Sequence, residues 1–145
     1  MENSLSNKGP AFHWRLRVYF EDTDAGGIVF YANYLKFFER ARTEWLRTAG
    51  IEQQRLLDET GTGFVVRHTA LDYFAPARLD DQLDIDSQVV AVRGASVDFE
   101  QVARRDTTIL ARGRIKVACV DIAALRPRAL PPAVLAAFRP TDPIH

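Results

Sequence analysis

The chain has 145 residues, which is enough for one domain with a buried core and too short for two ordinary domains. Its 19 basic residues balance 19 acidic ones, so no net charge attracts nucleic acid or an anionic membrane. No apolar run approaches the roughly 20 residues of a membrane-spanning helix, and the one cysteine excludes an internal disulfide, so we expect a cytoplasmic protein.

The first part of the chain predicts a tail, a strand and a long helix. Residues 1–11 are polar, and we expect a loose tail there, before a single domain over residues 12–140. Alternating apolar residues over 12–20 predict a strand. Apolar residues over 30–48 recur about every 3.6 positions, which predicts a helix with one apolar face. Arg42 falls on that face, and we expect it to form a structural ion pair, for example with a carboxylate on the sheet, rather than to contact a ligand.

The second part of the chain predicts mostly strands. Residues 52–59 favour one short helix, and a last helix is expected to open at Leu130. Between them, alternation with a period of two predicts about four antiparallel strands with short links. Gln101 falls on the apolar side of its strand, and so does Cys119, for which a buried, inert thiol is the better interpretation. One long helix followed by a run of strands indicates an α+β architecture rather than βαβ units.

The turn over residues 22–27 carries the most informative chemistry. Asp24 supplies a carboxylate that could act as a general base on water or attack a carbonyl itself. Gly26 and Gly27 can adopt positive φ, which lets a ligand approach the backbone closely. The helix that follows leaves its first N–H groups unpaired at the positive end of its dipole, where a developing oxyanion would be stabilised. The combination suits hydrolysis of an acyl compound, and we expect the Asp24 anion to be buried beside the helix.

The same turn has two other interpretations. Residues 22–24 can form an Asx-type turn and cap the helix without any catalytic role, and capping is the better interpretation for Asp22. A Ca²⁺ loop is disfavoured, because Gly26 and Asn33 stand where such a loop needs an oxygen ligand and a bidentate glutamate. From the residues alone, a structural turn and a catalytic turn therefore both remain open.

A longer motif surrounds this turn, and further segments extend it along the chain. They are Asp22-Thr23-Asp24-Ala25-Gly26-Gly27-Ile28-Val29, Asn33-Tyr34, Phe37-Phe38-Glu39-Arg40-Ala41-Arg42, Glu44, Phe64-Val65-Val66-Arg67, Tyr73-Phe74-Ala75-Pro76-Ala77-Arg78-Leu79-Asp80-Asp81, Arg93-Gly94 and Pro127-Arg128-Ala129-Leu130-Pro131. Together they resemble the signature of the 4-hydroxybenzoyl-CoA thioesterase-like hotdog family, and most closely its acyl-CoA thioesterase branch associated with the Tol-Pal system. The resemblance runs from about Trp14 to Phe138.

The resemblance implies a fold and a catalytic pair. The hotdog fold is an α+β fold in which an antiparallel sheet wraps a long central helix, and its members pair into dimers, often further into tetramers, that bind acyl-CoA at the dimer interface. Asp24 would be the catalytic carboxylate, and the backbone N–H of Tyr31 would polarise the thioester carbonyl. The Tol-Pal branch often has histidine where this chain has Tyr31, so a main-chain donor survives but any imidazole role does not.

The resemblance also implies four substrate-binding residues. Arg93 and Ser96 correspond to a region that contacts the phosphates and pantetheine of CoA, and arginine suits phosphate oxygens. Val66 and Arg67 correspond to a strand that walls the acyl tunnel. For Arg93 the alternative is a solvated turn residue, as turn arginines usually are.

We therefore expect an acyl-CoA thioesterase that uses no metal or redox cofactor. His13 and His68 have no cysteine or histidine partners at ligand spacing, so no metal site is expected. One rival is a non-hydrolytic module that binds acyl-CoA or an acyl carrier protein within a cell-envelope complex. Another is a hydratase or dehydratase, which is disfavoured because no histidine lies near the motif.

The strand-rich second half also predicts self-association. One helix cannot cover both edges of such a sheet, and open strand edges tend to pair with another copy of the chain. We therefore expect a homodimer or a homotetramer.

Overall fold

The computed structural model describes residues 9–139, which form one antiparallel sheet and three α-helices. A 3-10 turn, Phe20–Asp22, follows the first strand. The other elements are β1 (Ala11–Arg17), α1 (Asn33–Thr48), α2 (Gln53–Thr60), β2 (Thr62–Tyr73), β3 (Gln82–Val92), β4 (Ser96–Arg105), β5 (Thr108–Asp121), β6 (Arg126–Pro127) and α3 (Pro132–Phe138). The α+β architecture predicted from the periodicities is confirmed.

The strands are ordered β1-β3-β4-β5-β2, and the short β6 pairs with the end of β5. Every pairing is antiparallel, which leaves β1 and the much longer β2 as the edges. The β2–β5 register shifts between Val66 and His68, because Val66 pairs with Val117 while His68 pairs with Lys116. Arg67 is therefore the extra residue of a β-bulge on the edge strand.

Helix α1 packs on one face of the sheet, which we call the inner face. Its apolar stripe includes Tyr34, Phe37 and Phe38, all fully buried in one cluster with residues of β3, β4 and β5. Burying each such side chain stabilises the fold by about 1.5–3 kcal/mol. The helix approaches β5 closely at Gly113, where an added Cβ would lie 2.8 Å from the Phe38 ring. A second cluster packs Trp45 of α1 against α3 and the far end of the sheet.

Several boundaries differ from the sequence-based prediction. Helix α1 begins at Asn33 rather than at residue 30, because Val29 forms a bridge with Thr23 and Ile28 forms one with Arg78. These bridges hold the preceding residues in an extended loop. At the other end of the loop β1 stops at Arg17, three residues short of the predicted strand.

The predicted tail is also shorter than expected within the described residues. Ala11 already belongs to β1, and the carbonyl of Pro10 accepts a hydrogen bond of 3.0 Å from the N–H of Val89. Residues 1–8 of that tail, and residue 140 at the predicted end of the domain, lie outside the described residues. None of the helices within residues 9–139 has the length and apolar character to cross a bilayer.

Candidate active site

Asp22 connects the start of the loop to the start of α1. Its carboxylate is buried and accepts hydrogen bonds from the N–H of Tyr19 at 2.9 Å and from the side-chain amide of Asn33 at 3.1 Å. Both carboxylate oxygens are thus occupied by groups of the protein. This confirms the structural role that the sequence favoured for Asp22.

Asp24 has one occupied and one free carboxylate oxygen. Its Oδ1 accepts hydrogen bonds from the N–H groups of Gly26 at 2.9 Å and Ile28 at 3.2 Å, so it does form an Asx-type turn. Its Oδ2 has no hydrogen-bond partner among residues 9–139. The side chain is exposed in the single chain, so the expectation of a buried anion is wrong for the protomer. The reason is that the Asp24 carboxylate contacts only backbone groups of its own loop, so no other element of the protomer covers it.

Three successive backbone donors precede α1. The N–H groups of Phe30, Tyr31 and Ala32 donate to no acceptor within the described part of the chain, whereas those of residues 33–35 donate to the carbonyls of residues 30–32. Ala32 is the N-cap of α1 and supplies no capping side chain. Tyr31 therefore lies one residue before the N-cap rather than inside the helix as predicted. Its N–H nevertheless remains open at the positive end of the helix dipole.

Exposed aromatic residues flank the loop, and we call them the aromatic rim. The rings of Phe30 and Tyr31 lie 4.8 Å apart, and that of Tyr73 lies 5.7 Å from the buried Tyr34. Exposed apolar groups in such number usually mark a surface that another molecule covers. The rim consists of Phe20 (80% exposed), Phe30 (55%), Tyr31 (57%), Tyr73 (43%) and Phe74 (56%).

The bulge in β2 separates two cavities, and the predicted substrate-binding residues divide between them. Val66 points to the inner face, where a cleft of about 120 Å³ opens between α1 and the sheet; we call it the inner cleft. Arg67 and Ser96 line a groove of about 500 Å³ elsewhere along the sheet, which we call the outer groove. Arg93 lines neither cavity and is held in an ion pair by Asp98. Of the four predicted residues, only Arg67 and Ser96 therefore line the same cavity.

The outer groove contains two residues whose part in it sequence reasoning missed. Lys116 and His68 line it beside Arg67, so its side chains carry cationic groups and no carboxylate. Strand alternation does indicate that Lys116 lies on the polar side of β5. The signal was incomplete, because the bulge at Arg67 sets His68 opposite Lys116, and a bulge is not readable from alternation.

Arg42 does not form the predicted ion pair with a carboxylate on the sheet. Its Nη1 group donates a hydrogen bond of 2.8 Å to the amide oxygen of Gln101, and its guanidinium lies 6.0 Å from the ring centre of Phe99. Burial lowers the pKa of Arg42 to about 10, partly opposed by the charge of Glu39. The prediction is wrong because Gln101, a neutral acceptor on the inner face, occupies the position of the expected carboxylate.

The remaining candidate groups have structural surroundings. Cys119 is buried with its Sγ 3.7 Å from the carbonyl of Ala129, and burial raises the pKa of its thiol. His13 forms a hydrogen bond of 2.6 Å with Asp84. Among residues 9–139 no group of three or more His, Cys, Asp or Glu side chains is arranged to hold a metal ion.

A long helix packed on one face of an antiparallel sheet, with an acidic loop before the helix, defines a hotdog-fold protein of the thioesterase class. The sequence model of the thioesterase-like superfamily matches residues 18–138. The chain belongs to that superfamily, and the predicted resemblance is confirmed.

Individual relatives support the assignment along most of the chain. Acyl-CoA thioesterase YbgC of Haemophilus influenzae is 51% identical over 127 residues, which cover 88% of this chain and 93% of the relative. Acyl-CoA thioester hydrolase YbgC of Escherichia coli O6:H1 is 46% identical over 129 residues, with coverages of 88% and 96%. The crystal structure of a probable thioesterase from Bartonella henselae superposes with a TM-score of 0.79 at 33% identity and covers 84% of this chain and 100% of that one.

Proposed function

We propose that this protein is an acyl-CoA thioesterase that hydrolyses acyl-CoA to a carboxylic acid and free CoA. The observation that carries the proposal is the free Oδ2 of Asp24 in the loop that leads directly to the open N–H groups of residues 30–32. The acyl-CoA thioesterase and hydrolase names of relatives 51% and 46% identical support the substrate class.

In the proposed reaction, the N–H of Tyr31 donates to the thioester carbonyl oxygen and stabilises the oxyanion. One such donor is worth about 3–4 kcal/mol in the transition state. Asp24 accepts a proton from water, whose oxygen bonds to the carbonyl carbon; the carbon–sulfur bond then breaks, and the CoA thiolate receives the proton. Attack by Asp24 itself, through an acyl anhydride that water later hydrolyses, uses the same carboxylate and remains the second route.

The outer groove is proposed to bind the CoA phosphates. Arg67 and Lys116 supply cations along it, Ser96 supplies a hydroxyl, and no carboxylate lines it. A cationic groove of this kind suits phosphate groups, which arginine can engage with two parallel hydrogen bonds. Val66, on the inner face of the same strand, is proposed to contact the acyl group in the inner cleft. No cofactor takes part in this scheme.

A homodimer is proposed to complete the site. The edge strand β2 is exposed at every residue from Val66 to Ala70, and its outer backbone groups are available for pairing. The aromatic rim lies beside the loop and would be covered by a second copy, which would also bury Asp24. A homotetramer would pair two such dimers. The proposed location is the cytoplasm, in keeping with the single unpaired cysteine.

The test is a thiol-release assay with short-chain, long-chain and aromatic acyl-CoAs, and with acyl groups carried on acyl carrier protein as an alternative donor. The proposal expects free CoA to appear with at least one acyl-CoA at a rate proportional to enzyme. The contrasting outcome is binding of acyl-CoA, measured by calorimetry, without any thiol release. That outcome would overturn the thioesterase proposal in favour of a non-hydrolytic module, such as one within the Tol-Pal envelope complex.

A further inference from the structure

A buried polar network holds Arg42 at the wall of the inner cleft. The amide nitrogen of Gln101 donates to the carbonyl of Phe38 at 2.9 Å and to the hydroxyl of Ser87 at 2.8 Å, while its amide oxygen accepts from Arg42 at 2.8 Å. Gln101 and Ser87 are both completely buried. Because each amide group of Gln101 has a partner, its orientation is fixed, and the guanidinium that it binds is fixed as well.

The charge of Arg42 has no carboxylate partner within the described residues. None of the ion pairs among residues 9–139 includes Arg42. The nearest acidic neighbour on the helix, Glu39, is exposed and accepts a hydrogen bond of 2.9 Å from the hydroxyl of Thr43. Glu39 opposes the effect of burial on Arg42 only in part and forms no ion pair with it, so a bound anion would offset the remaining cost of burying the cation.

Arg42 also has hydrogen-bond donors to spare. Only its Nη1 group donates to a protein acceptor among residues 9–139. Its Nε and Nη2 groups have no protein acceptor there and are not among the fully buried polar atoms. Arg42 lines the inner cleft, so a group bound there lies beside its guanidinium. A guanidinium with two open donors is suited to a carboxylate, which it can bind through two parallel hydrogen bonds.

The rest of the inner cleft is mostly apolar and small. Its volume of about 120 Å³ is slightly below the roughly 150 Å³ of a cavity that accepts benzene, so it can hold the end of a chain but not a whole substrate. Glu39, Thr43 and Gln53 form its polar part beside Arg42. The apolar lining consists of Leu46, Phe64, Val66, Val97, Phe99, Val117 and Phe138.

The cleft lies at a distance from the loop that an acyl chain can span. Tyr73, at the end of β2, contacts Tyr34 near the start of α1, whereas Val66 meets the later part of α1 in the cleft. Strand β2 therefore runs beside α1 in the opposite direction. Arg42 lies nine residues after Asn33, the first residue of α1, which at 1.5 Å per residue is about 14 Å along the helix axis, and Tyr31 lies two residues before Asn33. The length of an extended dodecanoyl chain is comparable to this separation.

We propose that the inner cleft is the subsite for the far end of the acyl group, and that Arg42 selects acyl-CoAs whose chain ends in a carboxylate. The inference rests on the proposed thioesterase function and specifies its substrate class as ω-carboxyacyl-CoA. Arg42 binds the remote carboxylate and takes no part in the bond-breaking steps.

The experiment compares dodecanedioyl-CoA with dodecanoyl-CoA, which differ only in the terminal carboxylate. We expect kcat/KM of the parent enzyme to be about tenfold higher for the diacid thioester, as one charged hydrogen-bonded pair provides. Arg42→Met removes this preference, and Arg42→Lys, which keeps the charge, retains part of it. Arg40→Met is the matched control, because Arg40 is exposed on the same helix and lines neither cavity; it leaves the preference unchanged.

Equal or lower kcat/KM of the parent enzyme for dodecanedioyl-CoA overturns the inference, whether or not Arg42→Met folds. A separate binding measurement distinguishes this failure from a failure of the proposed function. Octanoate and 1-octanol, of which only octanoate carries a carboxylate, are titrated into the parent enzyme and Arg42→Lys by calorimetry. Tighter binding of octanoate to the parent enzyme supports the cleft assignment even if no thioester is hydrolysed, and equal binding of the two contradicts it.

Discussion

Asp22 and Asp24 lie two residues apart in one loop, but their carboxylates meet different surroundings. Both oxygens of Asp22 accept hydrogen bonds from the protein, and the side chain is buried, so it is held in a structural role. Asp24 uses one oxygen to hold the loop and leaves the other free. A structural turn and a catalytic turn, which the sequence leaves as alternatives, are therefore compatible in the same side chain.

At the residue scale, the two arginines predicted to bind the substrate should behave differently. Arg67→Gln should raise KM for acyl-CoA about fivefold with little change in kcat, because Arg67 lines the outer groove and its proposed phosphate contact would stabilise ground state and transition state equally. Arg93→Gln serves as the matched control with no change in KM, because Arg93 is already paired with Asp98. Steady-state kinetics at low and high salt would measure both.

The KM effect of Arg67→Gln should shrink as salt screens the phosphate contact. It should vanish with an acyl-pantetheine substrate, which lacks the nucleotide phosphates. An equal rise in KM for acyl-pantetheine would contradict the assignment of the outer groove to the phosphates.

Asp84 should make stability depend on pH. Burial alone would raise its pKa, but hydrogen bonds from His13 and Arg15 and the charge of Arg104 together hold the pKa below its usual value. Because the folded-state pKa is depressed, this stabilisation is present above the unfolded pKa of about 4 and is lost as pH falls through the folded value. Asp84→Asn should therefore lower the unfolding free energy at pH 7 by about 1–3 kcal/mol.

Urea unfolding of parent and Asp84→Asn at pH 7 and pH 3 would test this. The difference in unfolding free energy should narrow at pH 3, where the parent carboxylate begins to be protonated. Asp58→Asn, an exposed substitution on α2, is the control, and its difference in unfolding free energy from the parent should be the same at both pH values. A difference of the same size at both pH values would argue against a charge-based role for Asp84.

At the element scale, the loop before α1 depends on Gly27. Its φ of +76° favours glycine, and no atom lies within 4 Å of an added Cβ, so Gly27→Ala costs backbone strain and no steric clash. We expect a stability loss of about 1 kcal/mol and a fall in kcat, because the Gly27 N–H donates to the carbonyl of Asp24 and shapes the loop.

Gly50→Ala supplies a matched control for this prediction. Gly50 has a φ of +81° and equally open surroundings, but it follows the far end of α1. Thermal unfolding should report similar stability losses for the two variants, while only Gly27→Ala should lose kcat. Equal kcat values for both variants would show that catalysis does not depend on the geometry of the loop at Gly27.

The elements also differ in how well the sequence predicts them. Helix α1 has a strong apolar period over many residues, so its existence and inner face could be predicted. Its first turn could not, because the bridges at Ile28 and Val29 depend on Thr23 and on the distant Arg78. Arg42 and Gln101 were each visible as a polar residue on an apolar face. Pairing them requires the helix-to-sheet packing, which periodicity does not contain.

At the scale of the whole molecule, the open edge of β2 predicts a dimer. Thr69→Lys adds a charge to the inner side of this edge strand, a device by which natural sheets prevent edge pairing. The parent should have twice the 16.4 kDa mass of one chain, or four times in a tetramer, and the variant should shift towards the monomer. Mass photometry together with a thiol-release assay would measure assembly and activity on the same samples.

Thr107→Lys makes the same chemical change in the β4–β5 turn and should leave the mass unchanged. A monomeric parent that hydrolyses acyl-CoA at full rate would contradict the idea that a second copy completes the site. The sequence could predict the open edge from the strand count. It could not predict that His68 joins the outer groove opposite Lys116, because the register shift at Arg67 arises only when β2 pairs with β5.

The most direct measurement is kcat for acyl-CoA in Asp24→Asn. Asparagine keeps an Oδ1 acceptor for the N–H groups of Gly26 and Ile28, so the loop is retained while the charge is removed. We expect kcat to fall about a hundredfold or more, with KM and thermal stability close to those of the parent and with Asp58→Asn unaffected. An Asp24→Asn enzyme that turns over acyl-CoA at the parent rate would contradict the central role of this carboxylate.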